Sequence, residues 1–370
     1  MSTVEKFGHG GDLTTASDLF GVRKDEWFDF SANINPLGPP VEVVERLHRE
    51  MKGIIHYPDP AHRSFVRQLA RKYAIDEEML LVGNGAAECI ALTILAFAPR
   101  QVGVIDPCFS EYRHLAEQFG ASVSRCSVSH SAGSLPPLDG IYPLFRECDL
   151  VFIGHPNNPT GLMYTRGDLE VLAEWAEETD TWLVIDEAFL DFLSPGDQST
   201  LLPSLHMFSR VILIRSMTKF YAIPGLRLGF SIANPTAIKK MKSRQVTWSV
   251  NSLALAAGEA ALTAVDYEER SRELIARERT YLFENLCGRF GWKVWPGKAN
   301  FLLVRLPYDR RADELQQRMG AKGILIRNCS MYPGLTEHDF RIAVRSREEN
   351  NRFLSVLSGV IDEWTEEGDR

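Results

Sequence analysis

The sequence reads Val-Ile-Leu-Ile-Arg-Ser-Met-Thr-Lys over residues 211–219. Its first part is a short, mostly apolar run rich in β-branched side chains, which predicts a buried β-strand. Lys219 follows that strand, and in open α/β sheets the carboxyl ends of the strands border the ligand-binding crevice. Because a lone lysine is ordinarily a solvated surface residue, Lys219 gains a functional interpretation only from the other motifs of the chain.

Three further motifs lie where predicted elements begin or end. Asp186 directly follows the apolar run 182–185, which places it at the carboxyl end of a predicted strand. The turn Asn-Asn-Pro-Thr-Gly at 157–161 follows another predicted strand. The small residues Gly-Asn-Gly-Ala-Ala-Glu at 83–88 precede an apolar helix at 89–97, and backbone N–H groups at a helix amino end suit a phosphate.

Each motif also has an ordinary structural interpretation when it is taken alone. Asp186 can cap the next helix, residues 157–161 can form an Asn-Pro turn, and residues 83–88 can form a tight strand-to-helix turn. Together, however, they place an acid, an amide, a lysine and exposed backbone at the ends of predicted elements. This combination favours a ligand-binding site at one edge of an α/β sheet.

Short apolar runs alternate with amphipathic segments over residues 80–233, which predicts parallel strands joined by helical crossovers. The predicted strands are 102–105, 150–154, 182–185, 211–215 and 228–232, with a surface helix at 168–178. A second, α+β part is predicted to contain a long helix at 267–289, strands at 300–305, 324–328 and 340–344, and a closing helix at 348–364.

The amino-terminal segment up to Pro40 is rich in Asn, Pro and Gly, so we expect it to lack regular elements. We predict that residues 1–40 form an arm that packs on the small domain. Residues 41–250 would then be a large α/β domain, and residues 251–370 a small α+β domain.

The segments Asn-Pro-Thr-Gly at 158–161, Asp-Glu-Ala-Phe at 186–189 and Ser-Met-Thr-Lys at 216–219, with Arg227 eight residues further on, form one ordered pattern. In order and spacing the pattern resembles the aspartate-aminotransferase superfamily, which is pyridoxal 5′-phosphate (PLP) fold type I. The resemblance covers nearly the whole chain. It implies a PLP-dependent α/β enzyme with a mostly parallel seven-stranded sheet in the large domain and a smaller α+β domain.

The resemblance also implies a role for each matched residue. Lys219 would hold PLP as a Schiff base and carry a proton after its release, and Asp186 would keep the ring nitrogen protonated so that the ring accepts electrons. The remaining cofactor contacts would be Asn158 on the ring O3′, Phe109 stacked on the ring, and, at the phosphate, Ser216, Thr218, Arg227, the backbone at Gly85 and Ala86, and Tyr57 of the partner subunit. Phe189 is a departure, because aminotransferases of this group usually have a tyrosine there, on O3′.

Three stretches are very similar to the threonine-phosphate decarboxylases of cobalamin synthesis, a group close to the histidinol-phosphate aminotransferases. They are His-Gly-Gly-Asp at 9–12 followed by Asp-Phe-Ser-Ala-Asn-Ile-Asn-Pro-Leu-Gly at 29–38, then Thr-Lys-Phe-Tyr-Ala-Ile-Pro-Gly-Leu-Arg at 218–227, and Phe-Arg-Ile-Ala-Val-Arg-Ser at 340–346. They can also be scaffold pieces that both groups share. The implied reaction is decarboxylation of L-threonine O-3-phosphate to (R)-1-amino-2-propanol O-2-phosphate and CO2.

The same resemblance assigns substrate contacts to Arg341, Arg327, Asn33 and His9. Arg341 aligns with the arginine that binds the substrate α-carboxylate through a bidentate fork. Arg327 matches the position that binds the substrate phosphate. Either arginine can instead form a surface ion pair, and His9 can be a terminal histidine without a role.

Two other functions stay open. A histidinol-phosphate aminotransferase would use the same cofactor residues and would require 2-oxoglutarate, although Phe189 and the start His-Gly-Gly at 9–11 are unlike its usual pattern. A non-catalytic PLP-fold module that binds an effector of a transcription factor would need an attached DNA-binding domain. The PLP fold begins near the first residue here, which argues against such a module.

Composition limits the partners. The 370 residues carry a formal net charge of −8, and the 41 basic residues are spread along the chain, which argues against nucleic acid. The six cysteines and nine histidines show no metal or disulfide spacing, so we expect no metal. No apolar leader or stretch of about 20 apolar residues is evident. We therefore expect a cytoplasmic protein with no membrane partner. The resemblance, with Tyr57, implies a homodimer with shared active sites and a small phosphorylated amino acid as substrate.

Overall fold

The computed structural model describes residues 4, 10–127 and 134–368. The β-strands of this part of the chain are β1 (Phe28–Asp29), β2 (Leu80–Gly83), β3 (Gln101–Asp106), β4 (Ser122–Ser127), β5 (Leu150–Gly154), β6 (Trp182–Asp186), β7 (Val211–Ser216), β8 (Gly229–Ala233), β9 (Lys293–Val294), β10 (Phe301–Arg305), β11 (Ile324–Leu325), β12 (Arg327–Asn328) and β13 (Asp339–Ala343). The α-helices are α1 (Leu13–Phe20), α2 (Val41–Glu50), α3 (Arg63–Tyr73), α4 (Ala86–Phe97), α5 (Ser110–Gln118), α6 (Leu138–Glu147), α7 (Arg166–Thr179), α8 (Met217–Phe220), α9 (Pro235–Lys242), α10 (Ser252–Ala261), α11 (Val265–Gly288), α12 (Ala312–Gly320) and α13 (Arg347–Gly368).

The central sheet has seven strands in the order β2-β8-β7-β6-β5-β3-β4. The strands from β7 to β4 pair in parallel, whereas β8 pairs antiparallel with both β7 and β2. The α/β fold with a mostly parallel seven-stranded sheet is thus confirmed. Because parallel neighbours point the same way, the carboxyl ends of β5, β6 and β7 meet at one edge of the sheet.

Alternate residues of the central strands enter two apolar clusters, one on each face of the sheet. Phe152 and Ile214 belong to the cluster that includes residues of α4, α5 and α9. Ile153 and Leu213 belong to the cluster that includes residues of α6, α7 and α10. Since a strand directs successive side chains to opposite faces, burial on both sides explains why these strands are continuous apolar runs.

A second sheet has four antiparallel strands in the order β12-β13-β10-β9. Helix α11 contacts β9 and β10, and α13 packs against α11 and α12. In the β12–β13 register Arg327 lies opposite Arg341, so the sheet brings the two arginines to neighbouring positions. The domain boundaries at residues 40 and 250 stay predictions.

Two local expectations are wrong. The segment before Pro40 does contain regular elements: helix α1 is capped by the Asp12 carboxylate, which accepts the Thr15 N–H at 3.0 Å, and β1 pairs in parallel with β11. The turn-forming residues that motivate the expectation are concentrated at 33–40. The single strand expected at 324–328 is divided at Ile326, because β11 pairs with β1 whereas β12 pairs with β13 in the other sheet.

A buried ion cluster joins the ends of β6 and β7. Arg215 is 2% exposed, and its Nε donates to Glu187 Oε2 at 2.7 Å, while its Nη1 donates to Asp191 Oδ1 at 3.0 Å. A buried arginine with two carboxylate partners resists displacement, because separating them would leave an uncompensated charge. The cluster therefore fixes the backbone next to Asp186 and Ser216.

No helix in the described ranges is long and apolar enough to cross a membrane.

Candidate active site

A cavity with about 570 Å³ of open space lies at the carboxyl edge of the central sheet. Residues from the ends of β6 and β7 line it together with the start of α4 and the loops after β3 and β5. The lining residues are Ala86, Ala87, Phe109, Tyr112, Pro156, Asn158, Asp186, Ala188, Phe189, Ser216, Thr218, Lys219 and Arg227. Eight of these, Ala86, Phe109, Asn158, Asp186, Ser216, Thr218, Lys219 and Arg227, are site residues that the sequence predicts.

Lys219 lies in α8, the short helix that follows β7, and its Nζ donates to Thr218 Oγ1 at 2.8 Å. Burial lowers the pKa of Lys219 to about 8, and the Arg227 and Arg341 charges contribute in the same direction while Asp186 opposes them. About a tenth of this lysine is therefore an uncharged, nucleophilic amine at pH 7, far more than for a solvated lysine.

Asp186 ends β6 and is 7% exposed. Its Oδ1 accepts the Ala188 N–H at 3.1 Å, and its Oδ2 accepts the Tyr112 hydroxyl at 2.7 Å. Burial raises the pKa of Asp186, and these two hydrogen bonds together with the Lys219 charge work against that rise. The cavity thus encloses the Asp186 carboxyl group and the Lys219 amine, whose charged forms have opposite signs.

Sequence reasoning missed Tyr112. A tyrosine in the first turn of a helix such as α5 is ordinarily unremarkable in a sequence. The available signal was its position three residues after Phe109, in the first turn of the helix that follows a predicted cavity residue.

Close backbone contacts form a cradle beside Arg227. Gly85 has a φ of +80°, and a Cβ there would lie 2.6 Å from Arg227 Nη2. A Cβ on Gly229 would lie 2.5 Å from the Ala86 nitrogen. Nearby, the Ser216 and Thr218 hydroxyl oxygens are 2.8 Å apart. Since this cradle lies at the amino end of the twelve-residue helix α4, it suits an anion.

Arg341 lies on β13 and is 5% exposed. Its Nη1 donates to Asn158 Oδ1, and its Nη2 donates to the Ser31 carbonyl oxygen at 2.9 Å. Arg341 Nε is buried without a hydrogen-bond partner in the described part of the chain, and so is Oδ1 of Asn33, two residues after Ser31. Buried polar groups are normally paired, so these atoms favour a polar ligand at this position.

Two further predicted site residues, Arg327 and Tyr57, do not line this cavity. Arg327 is 1% exposed, and its Nη2 donates to the Met331 sulfur at 3.2 Å. Tyr57 is 80% exposed and stacks on Trp248 with ring centroids 4.6 Å apart, so within one chain it does not line the cavity. His9 lies outside the described residues.

Comparisons with known proteins agree with this geometry. Residues 25–357 match the family described as aminotransferase class I and II. The chain is 36% identical to a threonine-phosphate decarboxylase of Salmonella typhimurium, over 95% of this chain and 96% of that protein. The structure of L-threonine-O-3-phosphate decarboxylase from Porphyromonas gingivalis has a TM-score of 0.79 at 25% identity and covers 90% of this chain and 99% of its own. The structure of histidinol-phosphate aminotransferase from Clostridium acetobutylicum has a TM-score of 0.84 at 30% identity. It covers 90% of this chain and 99% of its own.

With this fold and the enclosed lysine and aspartate, the chain belongs to the class I and II aminotransferase family. It is an enzyme, and PLP is its cofactor. Within the family it is similar to threonine-phosphate decarboxylase over nearly its whole length.

The cavity has a chemical counterpart for each part of PLP. The uncharged fraction of Lys219 suits the aldehyde, the Asp186 carboxylate suits a protonated ring nitrogen, and the cradle beside Arg227 suits the phosphate. The positions of Gly85 and Gly229 support this match, because any larger residue would fill the cradle. The role of each residue at the cofactor stays a prediction.

The lowered pKa of Lys219 predicts how fast PLP attaches to the cofactor-free protein. The attacking species is the neutral amine, so the attachment rate should rise with pH through about 8 and then level off. Stopped-flow absorbance at a series of pH values measures this profile. In Arg227→Gln the midpoint should move to higher pH, because a cation that lowers the lysine pKa is removed. A wild-type midpoint near the usual lysine value of about 10.4 would contradict the account.

Proposed function

We propose that this enzyme decarboxylates L-threonine O-3-phosphate and releases CO2 and (R)-1-amino-2-propanol O-2-phosphate, a step of cobalamin biosynthesis. The observation that carries the proposal is the pair of buried arginines, Arg341 and Arg327, on adjacent strands of the smaller sheet. A phosphorylated amino acid has two anionic groups, and two neighbouring guanidinium groups provide one cation for each. The similarity to threonine-phosphate decarboxylase over 95% of the chain supports the same substrate.

Arg341 would bind the substrate carboxylate. Burial lowers the pKa of its guanidinium, yet an arginine remains protonated at neutral pH, so the site keeps a positive charge for an anion. Its bond to Asn158 connects the carboxylate position to the cofactor cavity. Asn33 is a further proposed substrate contact, and its unpaired Oδ1, an acceptor, would take a donor such as the substrate amine rather than the carboxylate.

Arg327 would bind the substrate phosphate, one strand away from Arg341. The two arginines then hold the substrate at both ends, with His9 as a further proposed contact. A molecule fixed at two ends has its third group, the amine, directed to one place. Substrate pose therefore decides which bond at Cα is broken.

PLP, when bound, withdraws electrons from the Cα bond that stands perpendicular to its ring. Asp186 would keep a proton at the ring nitrogen. Once CO2 has left, Lys219 would deliver a proton from Nζ to Cα, a transfer that the lowered pKa of this lysine permits near neutral pH. The Phe189 ring packs edge-on against Phe301 with centroids 5.0 Å apart. It would lie at the O3′ side of the cofactor, where a tyrosine would add a hydroxyl donor.

We also propose a homodimer with shared active sites. Met51, Ile54, Ile55, Val246 and Trp248 are exposed beside Tyr57, and exposed fractions of 79% at Ile55 and 76% at Val246 are unusual for apolar side chains. Exposed apolar side chains in the two segments that the Tyr57–Trp248 stack joins favour a protein partner there. A second copy would cover it and direct Tyr57 of the partner subunit toward the phosphate cradle.

A cytoplasmic location is part of the same proposal. The six cysteines are thiols, and four of them are buried. Reduced thiols in this number favour a reducing compartment.

The proposed reaction predicts CO2 release without a keto-acid acceptor. The PLP-loaded protein should convert L-threonine O-3-phosphate to CO2 and aminopropanol phosphate, measured by a coupled CO2 assay and by phosphorus NMR. A parallel reaction with histidinol phosphate and 2-oxoglutarate serves as the comparison, with Lys219→Ala as the inactive control. Formation of glutamate in the second reaction without CO2 in the first would contradict the proposed decarboxylase activity and identify a histidinol-phosphate aminotransferase instead.

Shared sites predict complementation between two defective chains. Mixed dimers of Tyr57→Ala and Lys219→Ala should contain one site with both residues intact, if Tyr57 acts across the interface. Refolded or co-expressed mixtures should therefore bind PLP and turn over substrate better than either parent, as measured by PLP titration and CO2 release. Tyr308→Ala is the control that should need no complementation, because it removes another tyrosine, 84% exposed, that does not line the cavity. Mixtures no better than the Tyr57→Ala parent would place Tyr57 outside the shared site.

A further inference from the structure

We propose that Tyr112 is a positioning residue that holds the Asp186 carboxylate, through its hydroxyl hydrogen bond, in the orientation in which Asp186 pairs with the ring nitrogen of PLP. The inference rests on the proposed role of Asp186 and adds a residue that no sequence motif assigns.

The contact is short, direct and enclosed. Tyr112 is 1% exposed, and its hydroxyl donates to Asp186 Oδ2 at 2.7 Å. The other carboxylate oxygen, Oδ1, accepts the Ala188 N–H at 3.1 Å. One donor on each oxygen leaves Asp186 little freedom to rotate, while each oxygen retains a lone pair for a further donor.

The Tyr112 ring is held as firmly as its hydroxyl. It stacks on Phe152 of β5 with centroids 4.9 Å apart and an interplanar angle of 5°. It also meets Phe109 edge-on at 5.6 Å. Because Phe109 and Asp186 both line the cavity, one tyrosine supports two walls of the cofactor site. A hydroxyl fixed by two ring contacts is a preorganised donor.

The hydroxyl is also suited to donating rather than losing its proton. Burial and the Asp186 charge raise the pKa of Tyr112 well above its usual value, so the phenol stays protonated. Burial raises the pKa of Asp186, and the hydrogen bond from Tyr112 is the largest effect that lowers it. Tyr112 therefore favours the ionised carboxylate that a protonated ring nitrogen requires.

Few other groups act on this carboxylate. Lys219 approaches from α8 and lowers the pKa of Asp186. Cys89 approaches from α4, and burial raises the pKa of its thiol to about 12, so it is uncharged at neutral pH. Removing the Tyr112 hydroxyl should thus raise the pKa of Asp186. The ion pair with the cofactor needs the ionised carboxylate. When the pH is lowered, the variant should therefore lose PLP affinity at a higher pH than the wild-type protein does.

The test is PLP titration of the cofactor-free full chain over a series of pH values. Tyr112→Phe keeps both ring contacts and removes one hydroxyl, and below the pKa of Asp186 it should weaken PLP binding about tenfold for each unit by which that pKa rises. The pH at which affinity declines should also move upward. Tyr164→Phe is the matched control, because it removes a buried hydroxyl that donates to the Pro136 carbonyl oxygen at 3.2 Å, away from the cavity.

Two results would overturn the inference. Affinity and pH profile equal to those of Tyr164→Phe would show that the hydrogen bond is dispensable. Weaker binding with an unmoved pH profile would show that the hydroxyl does not act through the ionisation of Asp186. Asp186→Asn separates the inference from the role on which it rests. Normal PLP affinity in Asp186→Asn would show that Asp186 itself does not bind the cofactor. Weak affinity in Asp186→Asn together with normal affinity in Tyr112→Phe would contradict only the role of Tyr112. Thermal unfolding of each cofactor-free variant confirms that it is folded.

Discussion

The burial of Lys219 and Asp186 in one cavity determines the electrostatics of the whole site. An amine removed from water loses part of its affinity for a proton, and a carboxyl group removed from water retains its proton more strongly. The pKa of Lys219 is accordingly lowered to about 8, and that of Asp186 is raised. Each group also moderates the shift of the other, since the opposite charge is close by. The remaining polar contacts of the cavity adjust this balance.

The sheet makes that burial possible. Strands β6 and β7 are parallel neighbours, with Asp186 opposite Ile214, so their carboxyl ends open into the same space. Strand β8 then returns antiparallel and brings Gly229 against Ala86, which closes the cradle at the start of α4. The ion pairs of Arg215 with Glu187 and Asp191 fix the ends of β6 and β7. The smaller sheet adds Arg341, whose contact with Asn158 connects the substrate side to the cofactor side.

Much of this arrangement was predictable from sequence because it is encoded locally. Strands buried on both faces are continuous apolar runs, and polar motifs directly after them must lie at one sheet edge. The contacts that were not predictable join residues far apart in the chain. Tyr112 reaches Asp186 across 74 positions, and Arg341 reaches Asn158 across 183. The pairing of β1 with β11, which overturned the expected irregular arm, is of the same kind, because a two-residue strand has no periodicity to detect.

The central claim is that Lys219 is the residue to which PLP is attached. Sodium borohydride reduction of the PLP-loaded protein fixes the cofactor at its point of attachment, and peptide mass spectrometry then locates the added mass. The account predicts the modification on Lys219, and its loss in Lys219→Ala. Modification of another lysine in the wild-type protein, or cofactor released unattached after reduction, would contradict it.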